Sequence, residues 1–388
     1  MHKNITLTIL LSIMFIIFLG IGLVIPVLPT IMNELHLSGA AVGYMTAAFA
    51  LTQLIISPFA GQAVDRYGRK LMIISGLIVF SVSELLFGLS TAIEWLFVSR
   101  ILGGMSAAFI MPAVTAFIAD VTTDQMRAKA IGYMSAAIST GLIIGPGIGG
   151  FLAGFGSRVP FFAASAVALL IAIVGFIILK EPTRQKMSAD KAVSHNSSFK
   201  KLMKPMFLYA FIVILISSFG LAAFESFFSL YTDHKFGFTP FDIAVAITGG
   251  AIVGAASQIL LFERLTRKIG EINIVRWSIV ISIVLVMMMT VVTTYWMILL
   301  VTFTVFIGFD LIRPAITTYL SRIAGSDQGF VGGMNSFFTS LANVLGPIIG
   351  GVLFDINWNY PYYFSAIVLV VALVITYFWR MDGTAASA

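Results

Sequence analysis

Twelve runs of predominantly apolar residues, each about twenty residues or longer, take up most of this 388-residue chain and leave room for little else. They fall at 5–29, 40–62, 71–90, 93–117, 129–152, 160–180, 205–231, 242–262, 272–292, 295–320, 328–353 and 360–380. A helix of about 20 apolar residues crosses the hydrocarbon layer of a bilayer, and it satisfies its backbone N–H and C=O groups internally as it does so. The chain is therefore expected to be an all-α membrane protein of twelve transmembrane helices. The breaks at 90–94 and 292–295 are short, so spans 3 and 4, and spans 9 and 10, are expected as tight hairpins. The first run, from Ile5, has no A-x-A-like cleavage site and reads as an uncleaved first span.

Charge supports this reading and orients it. Only 10% of residues are charged and 59% are hydrophobic, against roughly 25% charged in a soluble domain. Nineteen of the 23 Lys and Arg fall in loops or at span ends on one side, two (Arg158 and Lys235) fall on the other, and Arg100 and Arg313 lie deeper within spans. Basic loops stay cytoplasmic, so both termini are expected inside. The net charge of +6 is thereby explained as a topology signal, and no nucleic-acid partner is expected. The chain has no Cys and only four scattered His, so no disulfide, metal site or cofactor is expected.

The chain also repeats itself. Asp65-Arg66-Tyr67-Gly68-Arg69-Lys70 after span 2 has its counterpart in Glu263-Arg264-Leu265-Thr266-Arg267-Lys268 after span 8. Pro112-Ala113-Val114-Thr115 in span 4 matches Pro314-Ala315-Ile316-Thr317 in span 10, and Gly145-Pro146-Gly147-Ile148-Gly149-Gly150 in span 5 matches Gly346-Pro347-Ile348-Ile349-Gly350-Gly351 in span 11. Each match lies about 200 residues apart, at corresponding spans. Six spans is an even number, so the halves 1–180 and 205–388 insert the same way up, as a parallel repeat. The polar, basic, Ser-rich stretch 181–204 reads as a cytoplasmic linker between them.

These motifs resemble those of the major facilitator superfamily along the whole chain. The loop from Gly61 to Lys70 is similar to the signature between spans 2 and 3. Leu19-Gly20 with Pro26 and Pro29 is similar to the span 1 motif of drug–proton antiporters, and Gly141-x-x-x-Gly145-Pro146-Gly147-x-Gly149-Gly150 to their span 5 motif. Twelve spans match the smaller drug–proton antiporter family. The resemblance implies the major facilitator fold and a monomer in the bacterial cell membrane. It also implies export of hydrophobic, often cationic drugs (fluoroquinolones, ethidium-like dyes, chloramphenicol, puromycin) in exchange for protons. The family pattern in span 4 often has Gln three residues after the Arg, where this chain has Gly103.

Ionisable groups at membrane depth cost about 2.5–3.5 kcal/mol each on insertion scales and are retained where they face a cavity. Five lie within spans: Glu84, Arg100, Glu225, Asp310 and Arg313. Asp310 has Arg313 one turn on. A carboxylate poised between an apolar surround and a cation can load and release a proton, and the alternative is a structural Asp310–Arg313 pair. Glu225, in Phe224-Glu225-Ser226-Phe227-Phe228, suits a flat lipophilic cation through stacking and cation–π contact, or is an interfacial acid beside an aromatic belt. The resemblance implies proton coupling at Glu225, Asp310 and Arg100. Arg100 alternatively snorkels to the outer face, and Glu84 is expected to make a structural hydrogen bond.

For the pocket, the resemblance points to Phe18, Phe49, Gln53, Tyr133, Ile138, Phe306, Phe309, Asn335, Ser336, Thr339 and Asn343, together with Glu225. Gln53 and Asn335, as polar amides in apolar spans, need a partner or water. Asp65, Arg66, Gly68, Arg69 and Lys70 are expected to act as a conformational latch, as plain positive-inside anchors, or as both. Gly141, Gly145 and Gly149 clear one helix face and Pro146 kinks the helix, which suits a close, bendable contact between the halves. No phosphate loop or Ser-His-Asp arrangement suggests an enzyme. Export of a single metabolite, such as a sugar or polyamine, and a non-transporting receptor stand as alternatives.

Overall fold

A computed structural model describes residues 2–182, 205–324 and 328–379. Among the described residues the chain is helical throughout, and twelve helices are long and apolar enough to cross a membrane. They are Ile5–Leu35, Gly39–Tyr67, Arg69–Leu89, Ile93–Val121, Lys129–Ala153, Val159–Ile178, Phe207–Phe236, Pro240–Ile269, Glu271–Val291, Tyr295–Ala324, Phe330–Ile356 and Tyr360–Phe378. These are spans 1 to 12, and each matches an apolar run. Several outlast their run. Spans 2 and 8 continue to Tyr67 and Ile269, beyond the expected ends at 62 and 262. A helix does not stop where its side chains turn polar, because its backbone hydrogen bonds are indifferent to that change.

Span 1 is not one smooth helix. His2–Val24 gives way to a 3₁₀ turn, Ile25–Val27, and then to a second helix, Leu28–Leu35. Pro26 and Pro29 each lack an N–H for the ladder and sit in the first turns of the new segments, where that loss costs least. His36, in the left-handed region at φ 52°, closes the end. Span 2 starts at Ser38, whose Oγ accepts the Ala41 N–H at 3.2 Å, an N-cap of the usual kind.

Between spans 2 and 3 the chain reverses in a single residue, Gly68, at φ 105°. Gly270 does the same between spans 8 and 9, at φ 77°. A side chain is strained at these angles, which is why glycine holds both corners.

The chain divides into two compact units. The first is Met1–Ser188 with Phe228–Thr248, and the second is Ala189–Phe227 with Gly249–Ala388. Most of the expected linker, residues 183–204, lies outside the described residues. In the first unit, spans 1, 3, 4, 5 and 6 bury a shared apolar core that includes Leu10, Ile13, Leu77, Val114, Phe117 and Met134. Apolar side chains also cover the outside, among them Ile177, Ile259 and Trp296, each over 70% exposed. Such a surface suits a lipid environment.

Small residues let the helices approach closely. Ser81 and Ser165 exchange hydrogen bonds between spans 3 and 6, each Oγ donating to the other's carbonyl at 2.9 and 2.8 Å. Ser83 and Ser99 do the same between spans 3 and 4, at 2.7 and 2.9 Å. A Cβ at Gly141 would stand 2.5 Å from the Phe15 carbonyl oxygen, and one at Gly145 2.7 Å from that of Leu19. Gly149 lies against the Leu23 carbonyl in the same way. The glycine face of span 5 therefore seats span 1 of its own unit, not the other half as expected. Gly346 and Gly350 of span 11 repeat this against Phe219, Ala222 and Phe227 of span 7. Gly147 and Gly150 instead face Thr248, Ala244 and Pro240, which group with the first unit.

Candidate functional site

In the second unit, span 7 carries Phe224-Glu225 and span 10 carries Phe309-Asp310. The Phe224 and Phe309 rings lie 5.8 Å apart, so the stretches of spans 7 and 10 that carry the two acids are in contact. Glu225 is exposed on the bare protein and Asp310 is half-buried. Tyr362 of span 12 packs edge-on against Phe224 at 5.6 Å. These three rings are buried, Phe224 at 1%, Phe309 at 3% and Tyr362 at 0% exposed, so Phe309, expected in the pocket, lies in the packing between spans.

Span 8 shapes the other side. Its glycines receive span 10 directly: Gly249 meets the Phe303 ring, Gly250 the Phe306 ring and Gly254 the Asp310 carboxylate. A Cβ at Gly254 would collide with Asp310 Oδ2. Gly250 and Gly254 lie one turn apart, so a single bare stripe positions Phe306 and Asp310 together. These glycines were not among the expected site residues, although Gly250-x-x-x-Gly254 in an apolar span is a readable packing signal.

Arg313 does not pair with Asp310 among the described residues. It is exposed, and its nearest acid in sequence keeps its carboxylate toward Gly254. Asn335 and Thr339 of span 11 lie one turn apart, and Asn335 Oδ1 and Thr339 Oγ1 are both buried without a hydrogen-bond partner among the described residues. Buried polar atoms left unpaired are costly, so these two call for a ligand or water. Ser336 and Asn343 of the same helix are exposed.

The first unit carries the remaining expected residues. Arg100 is buried against Glu84, Nη2 to Oε1 3.5 Å, with side chains 18% and 3% exposed. Its guanidinium lies 4.4 Å from the Phe87 ring centroid. Glu84 Oε2 and Arg100 Nε have no hydrogen-bond partner among the described residues. The expected structural bond of Glu84 is thus an ion pair, and its partner is Arg100. A Cβ at Gly103 would stand 3.0 Å from the Phe49 ring and 3.2 Å from Ser83 Oγ. The glycine that departs from the family pattern therefore makes room for an expected pocket residue. Phe18 and Ile138 are half-buried and pack on the core of this unit. Tyr133 is 47% exposed with Lys129 Nζ 5.7 Å from its ring, and Gln53 is half-buried.

The Gly68 corner holds a charge network. Arg69 Nε stands 2.9 Å from Asp120 Oδ2 and Nη2 stands 3.3 Å from Asp65 Oδ1. Glu181 accepts the backbone N–H groups of Arg69 and Lys70 at 2.6 and 2.8 Å, an anion on a helix N-terminus. Arg66 lies over the Tyr67 ring and Lys70 over Phe176. Asp120 and Glu181 were missed in the sequence because neither shares a segment with the loop it serves.

The family model described as Major Facilitator Superfamily matches residues 10–326 and, separately, 211–387. The chain is 64% identical to Multidrug resistance protein 1 of Bacillus subtilis (strain 168), over 97% of each chain. It is 45% identical to Quinolone resistance protein NorA of Staphylococcus aureus (strain MRSA252), over 93% of each. In fold it is similar to a bacterial homolog of the human lysosomal transporter Spinster in an inward-facing conformation, at a TM-score of 0.83, 18% identity and 97% coverage of each chain. It is likewise similar to the nucleoside transporter NupG, at 0.80, 14% and 98%. Two repeated sets of six membrane spans, the Gly68 corner with its charges and the glycine-packed spans 5 and 11 fit these matches: the chain belongs to the major facilitator superfamily.

Proposed function

We propose that the protein exports chemically varied hydrophobic drugs, many of them cationic, in exchange for protons and by alternating access. The observation that carries this reading is a carboxylate on each of two spans that touch, Glu225 on span 7 and Asp310 on span 10, with no paired base among the described residues. Relatives named for multidrug and quinolone resistance support the substrate class. The fluoroquinolones, ethidium-like dyes, chloramphenicol and puromycin are the proposed substrates.

The chemistry is competition for one negative charge. With the acids ionised, a lipophilic cation supplies the counter-charge and its flat rings lie against Phe306, with Phe224 and Phe309 packed behind. A proton arriving from outside neutralises a carboxylate, removes that attraction and lets the drug leave. Loss of the proton to the cytoplasm restores the charge. Exchange is obligatory because an unneutralised carboxylate at membrane depth resists reorientation. Apolar, adaptable walls hold many shapes at the cost of few fixed polar contacts, and Asn335 and Thr339 offer those few. Phe18, Phe49, Gln53, Tyr133 and Ile138 supply the wall of the first half. Arg100, held by Glu84, and Arg313 tune the proton affinity of their surroundings. The loop Asp65–Lys70 acts as a latch through Arg69, whose partner Asp120 lies on another span.

On this reading the protein is a monomer in the bacterial cell membrane, with halves 1–180 and 205–388 joined through 181–204 and both termini cytoplasmic. Comparing ethidium accumulation in cells with and without the protein, with and without a protonophore, tests the proposal. Lower accumulation that the protonophore abolishes, and that chloramphenicol or puromycin competes with, supports it. Equal accumulation in both cells, or export of ethidium that no second drug perturbs, sinks it.

A further inference from the structure

Glu84 and Arg100 form a buried ion pair that the packing of the fold does not require, and the internal repeat supplies the comparison. Spans 3 and 9, Arg69–Leu89 and Glu271–Val291, match residue for residue at an offset of 202. Pro112 and Pro314 set the same offset in spans 4 and 10. The counterparts of Glu84 and Arg100 are therefore Val286 and Thr302. Both are fully buried, and Thr302 Oγ1 donates to the Ile298 carbonyl of its own helix at 2.7 Å. The second unit thus builds the same helix contact without a charge. A buried ion pair is in any case a weak source of stability, because well-packed apolar side chains of similar volume often do as well or better.

The pair is also incompletely satisfied. Its one contact, Arg100 Nη2 to Glu84 Oε1, measures 3.5 Å, too long for a good hydrogen bond. Glu84 Oε2 and Arg100 Nε and Nη2 have no hydrogen-bond partner among the described residues. Away from the span ends, spans 1 to 6 hold no other charged side chain, so within this half each is the other's only counter-charge. Backbone motion does not easily part them. Ser83 and Ser99, one residue before each charge, hold each other's carbonyls across the two spans, where the second unit has Leu285 and Val301. A carboxyl 3% exposed, fixed beside a cation and with one oxygen unengaged, is a place where a proton can be loaded and released.

We propose that Glu84 is a further proton-binding residue of the transport cycle and that Arg100 responds to its charge, an inference that rests on the drug–proton exchange proposed above. Both residues lie within about two turns of the outer ends of their spans, Leu89 and Ile93. A proton from the outer water adds to Glu84 Oε2. Arg100 then loses its counter-charge, and an unmatched cation at this depth is costly. Its guanidinium, 4.4 Å from the Phe87 ring centroid, turns to another acceptor, and span 4 is driven to its other arrangement with it. Loss of the proton from Glu84 lets Arg100 return.

The test uses the purified full-length protein and the variants Glu84→Gln, Glu84→Asp and Glu84→Val with Arg100→Thr, each melted and each placed in vesicles holding a pH-sensitive dye. Glu84→Gln leaves Arg100 an acceptor but binds no proton. It should melt near wild type and still bind ethidium, while ethidium-driven proton movement falls to background, and Glu84→Asp should recover part of that movement. The double variant carries the residue pair of the second unit. It should melt at or above wild type and still fail to exchange. In detergent, infrared difference spectra between low and high pH should show a protonated-carboxyl band that Glu84→Gln lacks, a readout that needs no drug transport. Wild-type proton movement in Glu84→Gln, full exchange by the double variant, or an infrared difference that Glu84→Gln leaves unchanged overturns the proposal. A wild-type protein that moves no protons contradicts the exchange itself, and the infrared band then judges Glu84 alone.

Discussion

Asp310 and Gly254 show how much a single position decides. The carboxylate lies where a glycine of span 8 leaves space, so Gly254→Ala forces Asp310 aside. Drug-driven proton movement in vesicles should fall to background in this variant while it still folds and inserts. Unchanged coupling would mean that the position of Asp310 does not matter. Glu84 is a different case. Removing one member of a buried pair leaves the other charge unmatched, which costs about 3–5 kcal/mol. Glu84→Ala should therefore melt far below Glu84→Gln, which still offers Arg100 an acceptor, and equal melting temperatures would refute the pairing. Residue by residue, the sequence showed which charges lie at membrane depth, because each interrupts an apolar run. It did not show their partners. The partner that the sequence offered Asp310 as an alternative was Arg313, one turn along the same helix, yet the structure turns Asp310 toward Gly254. Arg100 likewise pairs across to Glu84 on span 3. A pairing between helices leaves no periodic trace in either one.

Among the elements, spans 1 and 5 make the plainest case. Gly141, Gly145 and Gly149 form a stripe at four-residue spacing, and the backbone of span 1 fills it. Gly145→Val inserts a side chain into a backbone contact and should destabilise the protein by about 1–3 kcal/mol or more. Gly132→Ala, where nothing stands within 4 Å, should change stability by under about 1 kcal/mol. Thermal melting of the two purified variants checks both, and similar melting temperatures would remove the packing argument. The glycine spacing was legible, and so was the kink-prone Pro146 within the stretch. Which helix sits in the stripe was not legible, because a bare face accepts any close neighbour. Span boundaries slipped for another reason. Hydropathy marks the apolar stretch, whereas spans 2 and 8 stay helical as far as Gly68 and Gly270, whose positive φ ends them.

Across the whole molecule the repeat extends to charge. Arg69–Asp120 in one unit and Glu271–Arg322 in the other join equivalent positions, 202 residues apart, with the signs exchanged. Such a pair works in either polarity, so exchanging Glu271 and Arg322 should preserve more transport than Glu271→Arg alone. A double exchange as damaging as the single change would show that sign matters at each site. At this scale the sequence said most, since twelve apolar runs, biased basic loops and three matched motifs are long-range patterns that local packing does not blur. The exchange of protons for drug is the claim that reaches furthest beyond them, and one measurement bears on it directly. The purified protein is placed in vesicles holding a pH-sensitive dye, and an ethidium-like cation is added. Cation uptake should drive protons the opposite way, and Asp310→Asn and Glu225→Gln should each stop that movement. If adding the cation moves no protons, or if both variants keep full uphill transport, the account is contradicted.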